Sequence, residues 1–141
     1  MTTIAFAGGC LCGSVRYTIA ADPLISIHCQ CRACQFDTGS GHMSGLAFPI
    51  AAMKIEGMLT EFSRPADSGG TATKGFCPRC GTPVTGRTSI MPDVVMVRVG
   101  TLDDPSRFTP QMLVFAGGGH AWDQIDPSLP RFPGMPPMGL P

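Results

Sequence analysis

The chain has 141 residues, 43% of them hydrophobic and 14% charged, which fits one globular domain with a single core. Ten basic residues balance ten acidic ones, so no charge field points to nucleic acid or an anionic membrane. Eighteen glycines and fourteen prolines exclude long helices and favour short strands joined by turns.

In chain order, "MTTIAFAGGC" lacks a basic start and its apolar run is broken by glycines, so it does not read as a signal peptide. No stretch of about 18 apolar residues is present to span a bilayer. A reducing, cytoplasmic setting is therefore expected. "SVRYTIA" (14–20) alternates Val15, Tyr17 and Ile19 with polar residues, the period of a half-buried strand. "LISIH" (24–28) is a second strand, running into the cysteines of "HCQCRACQF". Further short strands are expected at 45–50, 53–57 and 59–63, with Gly57 placed for a hairpin turn between the last two. "ATKGF" (72–76) leads into "CPRCGTPV", "VVMVRVG" (94–100) is the most apolar strand, and "QMLVFA" (111–116) is the last. Helix is scarce: "DDPSRF" (103–108) can form one turn, capped by Asp103 or Asp104 with Pro105 leading. The expected organisation is an all-β domain over 1–126. A tail over 127–141, with six prolines in fifteen residues, should be irregular, wrapped on the surface or mobile.

Seven cysteines, an odd number at short spacings, read as metal ligands rather than disulfides. They fall in three groups: Cys10 and Cys12; Cys29, Cys31 and Cys34; Cys77 and Cys80. Gly13 follows the first group and Gly81 the third, each placed to let a metal knuckle turn tightly, whereas Gln35 follows the second. That difference pairs Cys10 and Cys12 with Cys77 and Cys80 around one ion, a closed structural zinc site. Buried free thiols and a four-cysteine iron–sulfur cluster are the competing readings of the same four residues.

Cys29, Cys31 and Cys34 then hold three sulfurs and one gap, the ligand count of a catalytic zinc with an exchangeable position. His42, in the flexible loop "DTGSGHMSG", can close the gap and make the site structural. His28 is less well placed, because on a strand its ring faces away from Cys29. His120 reads as a surface residue. The three sulfurs can also be redox-labile thiols without a metal.

"GGCLCGSVRY", "HCQCRACQFDTGS", "FCPRCGTPV", "VGTLDDPSRFTPQMLVF" and "AWDQIDPSLPRFPGMP" in this order resemble the glutathione-dependent formaldehyde-activating enzyme family. The resemblance runs from about residue 8 to residue 135 and implies an Mss4-like fold of twisted antiparallel sheets around zinc sites. It implies a structural zinc on Cys10, Cys12, Cys77 and Cys80 and a catalytic zinc on Cys29, Cys31 and Cys34. The implied activity is condensation of glutathione with formaldehyde to S-hydroxymethylglutathione, a carbon–sulfur lyase reaction run in reverse. The sequence departs from the family pattern in "SGHMSG" (40–45), beside the open site, which bears on substrate identity. Arg32, between two ligands, is placed to offset thiolate charge or receive a substrate carboxylate. Gly39, Ser40 and Gly41 would let a peptide-like thiol approach the backbone, and Phe36 and Trp122 would wall the pocket. A different class of function fits the same residues: Mss4-like domains also act as zinc-stabilised protein-binding modules. A third reading is a thiol-dependent enzyme for another electrophile.

Overall fold

The computed structural model describes residues 5–67 and 69–136. The first four residues of the amino-terminal stretch and residues 137–141 of the tail lie outside the described residues. Among the described residues, ten strands form two sheets, beside one short α-helix. A three-stranded sheet has the order β1-β2-β5, from Phe6–Gly9, Arg16–Ile19 and Met53–Glu56. The larger sheet has the order β10-β3-β4-β9-β8-β7-β6. Its strands are β3 (Ile25–Cys29), β4 (Met43–Pro49), β6 (Thr60–Pro65), β7 (Thr71–Phe76), β8 (Pro83–Thr88), β9 (Val94–Arg98) and β10 (Met112–Val114). All pairings are antiparallel except that of β10 with β3.

The period-2 patterns decide which face each side chain takes. Tyr17 and Ile19 of β2 pack with Leu46 and Phe48 of β4 and Val95 and Val97 of β9, filling the space between the sheets. A second apolar cluster, built on Ile25, Ile27, Met43, Ala47 and Val114, covers the other face of the large sheet. β4 therefore contributes to both clusters, which is why it reads as a continuous apolar run. Cys10 and Cys77 lie in the first cluster and Cys29 in the second, so the two cysteine sets sit on opposite faces of one sheet.

Besides β8, which was not among the expected strands, three local features differ from the sequence expectation. Gly57 does not close a hairpin: β5 pairs with β2 and β6 with β7, so the chain passes between sheets at this residue. Gly57 takes φ +93°, and a Cβ there would lie 2.2 Å from the Ser14 carbonyl oxygen. Only glycine meets both demands. Gly57→Ala is expected to lower stability by about 2 kcal/mol, seen as a fall of roughly 5–10 °C in the thermal midpoint; an unchanged midpoint would contradict this account of the crossing.

The second difference is β1, whose "FAGG" carries no alternation to read. The third is a helix, α1, over Arg32–Thr38. Its seven residues are too few to show a helical period, and it is held by tertiary and capping bonds instead. Cys31 caps its start, its sulfur accepting from the Cys34 N–H, and Gly39 at φ +71° ends it, donating to Gln35 O. The buried Gln35 amide donates to the carbonyls of Gln30 and Gly118, each at 2.9 Å. The expected turn at "DDPSRF" is present as a 3-10 turn over Pro105–Arg107. Asp104 is its cap, while Asp103 pairs with Arg16.

The described part of the tail is tied to the edge of the large sheet. Leu113 N–H donates to Pro130 O and Phe132 N–H to Leu113 O, and Phe132 packs on the second apolar cluster. Among the described residues, no helix is long and apolar enough to cross a membrane.

Candidate metal centres

The four-cysteine set is assembled by two knuckles of one pattern, a cysteine, a glycine and a hydroxyl residue: Cys12-Gly13-Ser14 and Cys80-Gly81-Thr82. Gly13 and Gly81 take φ +81° and +77°, the left-handed turn that brings each pair of sulfurs together. The sulfurs of Cys10, Cys12, Cys77 and Cys80 all lie within 4.8 Å of one another. Cys10 to Cys12 measures 3.6 Å and Cys12 to Cys77 3.7 Å. A tetrahedron with metal–sulfur bonds of about 2.3 Å has edges of roughly 3.8 Å, so the spacing fits one ion. It is far from the roughly 2.05 Å of a disulfide.

Donors surround these sulfurs as a thiolate site requires. Val15 N–H donates to Cys10 Sγ, and Arg79 and Cys80 N–H donate to Cys77 Sγ. The Ser14 hydroxyl lies 3.1 Å from Cys12 Sγ and 3.2 Å from Cys77 Sγ, and the Thr82 hydroxyl lies 3.1 Å from Cys80 Sγ. Burial pushes the Cys10 thiol up, but the Val15 N–H and the Ser14 hydroxyl outweigh it and leave it at about 7. The Thr82 hydroxyl and N–H bring Cys80 down to about 5. Sequence reasoning grouped the same four cysteines and did not single out Ser14 and Thr82. The repeated hydroxyl residue after each knuckle glycine was the signal for them.

The second set is built where β3 runs into α1. Cys29 ends the strand, Cys31 is the helix cap and Cys34 lies in the first turn, so extended and helical backbone meet to aim three sulfurs at one point. These sulfurs also lie within 4.8 Å of one another, and no histidine or carboxylate among the described residues joins them. Hydrogen bonds from Cys29 and Cys34 hold the Cys31 thiol low, with the charge of Arg64 adding to this. Sharing with Cys31 pushes Cys29 up, to about 12, and Cys34 is raised by its hydrogen bonds with Cys29 and then Cys31. Three thiols that resist losing their protons together form a donor set completed by a cation, which removes all three.

The histidines have other partners. His42 Nδ1 lies 2.9 Å from Asp123 Oδ1, and its ring stands edge-on to His28. His28 bonds Ser44 Oγ from the face opposite Cys29. The exposed His120 stacks on Trp122 and reaches Gln35 Oε1 at 3.0 Å.

A cavity of about 630 Å³ opens beside the second set, with Cys29 and Cys34 in its wall. Arg32 and Phe36 line it, Arg32 stacked over the Phe36 ring and bonded to Gln35 Oε1. Gly39, Ser40, Gly41 and Trp122 are not among the lining residues. Gly39 ends α1 and Trp122 packs on His120. Five of the chain's ten basic residues line the cavity (Arg32, Arg64, Lys74, Arg87 and Arg98) against two of its ten acids (Asp37 and Asp67). An overall neutral protein thus concentrates positive charge beside its three-thiol set. Sequence reasoning missed Arg64, Lys74, Arg98 and Asp37. They come from β6, β7, β9 and α1, and no local pattern links them.

Mostly antiparallel sheets with one short helix, carrying two cysteine sets that can bind metal ions, consistent with zinc, define a protein of the Mss4-like fold. The chain belongs to the glutathione-dependent formaldehyde-activating enzyme family, whose sequence model matches residues 5–118. A crystal structure of a Rhodobacter sphaeroides protein, a structural-genomics target, is similar with a TM-score of 0.56. The similarity covers 69% of this chain and 87% of that one at 20% identity, and bears on the fold alone. No curated protein matches the chain.

Proposed function

We propose that the protein is a zinc-dependent enzyme of carbon–sulfur lyase type. It joins a small thiol of the glutathione class to an aldehyde, formaldehyde or a relative, in a reducing compartment such as the cytoplasm. The observation that carries this reading is the three-thiol set of Cys29, Cys31 and Cys34, with no fourth side chain among the described residues and a cavity at its side. Cys10, Cys12, Cys77 and Cys80 hold the structural ion in this reading.

A bound Zn²⁺ supplies a site where a thiol loses its proton and a carbonyl oxygen is polarised. The chain supplies the rest. Cys29, Cys31 and Cys34 would hold the ion beside the cavity. Apolar side chains in the wall, among them Phe36, Met43, Met96 and Phe115, keep the reacting groups together and limit water. The charge of Arg64 favours the thiolate form of Cys31. In the net reaction a bond forms between the thiol sulfur and the carbonyl carbon, and the thiol proton ends on the former carbonyl oxygen. The reverse reaction breaks the same carbon–sulfur bond.

The binding-module reading needs a protein ligand to close the second set, and His42, the residue best placed by sequence, is paired with Asp123. The test follows exchange between glutathione, ¹³C-formaldehyde and S-hydroxymethylglutathione by NMR. Catalytic amounts of zinc-loaded protein are expected to accelerate exchange at least tenfold, and a chelator to remove the effect. Exchange at the uncatalysed rate with glutathione and with cysteine-containing relatives would sink the proposal.

A further inference from the structure

Asp37 lies on α1 one turn beyond Cys34, with its side chain only 6% exposed in the cavity wall. Its Oδ2 is 2.6 Å from Arg98 Nη2 and its Oδ1 is 3.5 Å from Lys74 Nζ. Charge is thereby compensated, yet hydrogen bonding is not. Among the described residues, neither carboxylate oxygen of Asp37 has a well-aligned donor, and Arg98 Nε has no acceptor. A buried carboxylate and guanidinium left short of hydrogen bonds are costly, and an apolar pair would serve the fold as well.

A ligand that completes this group must bring donors to Asp37 and an acceptor to Arg98 and Lys74 at once. A bare carboxylate meets the cations and is repelled by Asp37; a simple amine does the reverse. An α-amino-acid head group carries an ammonium and a carboxylate on one carbon and meets both. We propose that Asp37, Arg98 and Lys74 form a subsite for the zwitterionic α-amino-acid head of the thiol substrate. Its ammonium donates to Asp37 and its carboxylate accepts from Arg98 and Lys74. The inference rests on the reading that a thiol binds at Cys29, Cys31 and Cys34. For glutathione it fixes the orientation, because the γ-glutamyl end has such a head and the glycyl end has only a carboxylate.

The test is calorimetric titration of zinc-loaded protein with S-methylglutathione and with its des-amino analogue, in which hydrogen replaces the γ-glutamyl ammonium. Neither ligand has a free thiol, so the comparison reads the subsite apart from chemistry at the cysteines. Wild-type protein is expected to bind S-methylglutathione at least tenfold more tightly, the order set by a charge-assisted hydrogen bond. In Asp37→Asn, with its fold checked by thermal melting, that preference disappears and the analogue binds as before. Equal affinity of the two ligands for wild type overturns the proposal, as does no measurable binding of either. An equal loss for both ligands in the variant also overturns it, marking Asp37 as a structural countercharge. Equal affinity in wild type overturns the proposal even if the variant does not fold. A retained preference without thiol–aldehyde exchange supports the subsite and rejects the enzyme reading instead.

Discussion

Cys77→Ser is expected to leave no cooperatively folded protein. Cys77 is fully buried in the core between the sheets, and its sulfur lies 3.7 Å from that of Cys12, 65 residues away in the chain. Two backbone N–H groups and the Ser14 hydroxyl are arranged around that sulfur, so the substitution disturbs a shell as well as a ligand. A structural zinc site contributes on the order of 10–16 kcal/mol, which matches or exceeds the roughly 5–15 kcal/mol that separates a folded domain from its unfolded chain. Circular dichroism should show no sharp melting transition, and zinc should be lost from the purified protein. A melt within a few degrees of wild type would remove the four-cysteine site from the scaffold.

Cys34→Ala is expected to separate the second site from the first. Zinc content should fall from two ions to one, the melting temperature should change by only a few degrees, and thiol–aldehyde exchange should fall by about 10³. That factor corresponds to about 4 kcal/mol of transition-state stabilisation, within what a metal ion supplies. Cys34 is the better choice of the three cysteines because Cys31 also caps α1 and Cys29 is buried in the second apolar cluster. With Cys34 altered, the helix keeps the Cys31 cap position, the Gly39 end and the two bonds from the Gln35 amide. A variant that unfolds would make this cluster part of the scaffold and favour the binding-module reading. A variant that keeps both its fold and its full activity would sink the catalytic role of the three-thiol set.

The two substitutions differ because the two cysteine sets connect different things. The four-cysteine set ties a loop before β2 to a loop after β7, which are otherwise joined by polar contacts such as Leu11 N–H to Thr82 Oγ1 and Ser14 Oγ to Cys77 Sγ. The three-cysteine set lies within six residues, so its closure adds little to the ordering of the chain. In the proposed reading, ion binding at the second set serves the cavity rather than the fold.

Cysteine spacing and the knuckle glycines made the division into four and three readable from the sequence, because metal ligation imposes short-range geometry that a chain must spell out locally. Strands β2 to β7, β9 and β10 were readable as well, since alternation in β2 and apolar runs in β4 and β9 record which faces are buried. α1 was not: Cys31, Gln35 and Gly39 hold it through a cap, a left-handed end and bonds to Gln30 and Gly118, one of them 83 residues distant in sequence. Nor was the sheet change at Gly57, which depends on the Ser14 carbonyl lying where a hairpin would otherwise turn.

The sequence by itself therefore determined the grouping of the cysteines and the β class. Only the tertiary structure decided what surrounds the open thiol set. Asp37, Lys74, Arg64 and Arg98 come from four elements with no shared period, and their meeting in one cavity follows from strand order in the seven-stranded sheet. Ligand spacing is a local property of the chain, whereas the charge and shape of a cavity are set by long-range pairing that no single stretch encodes.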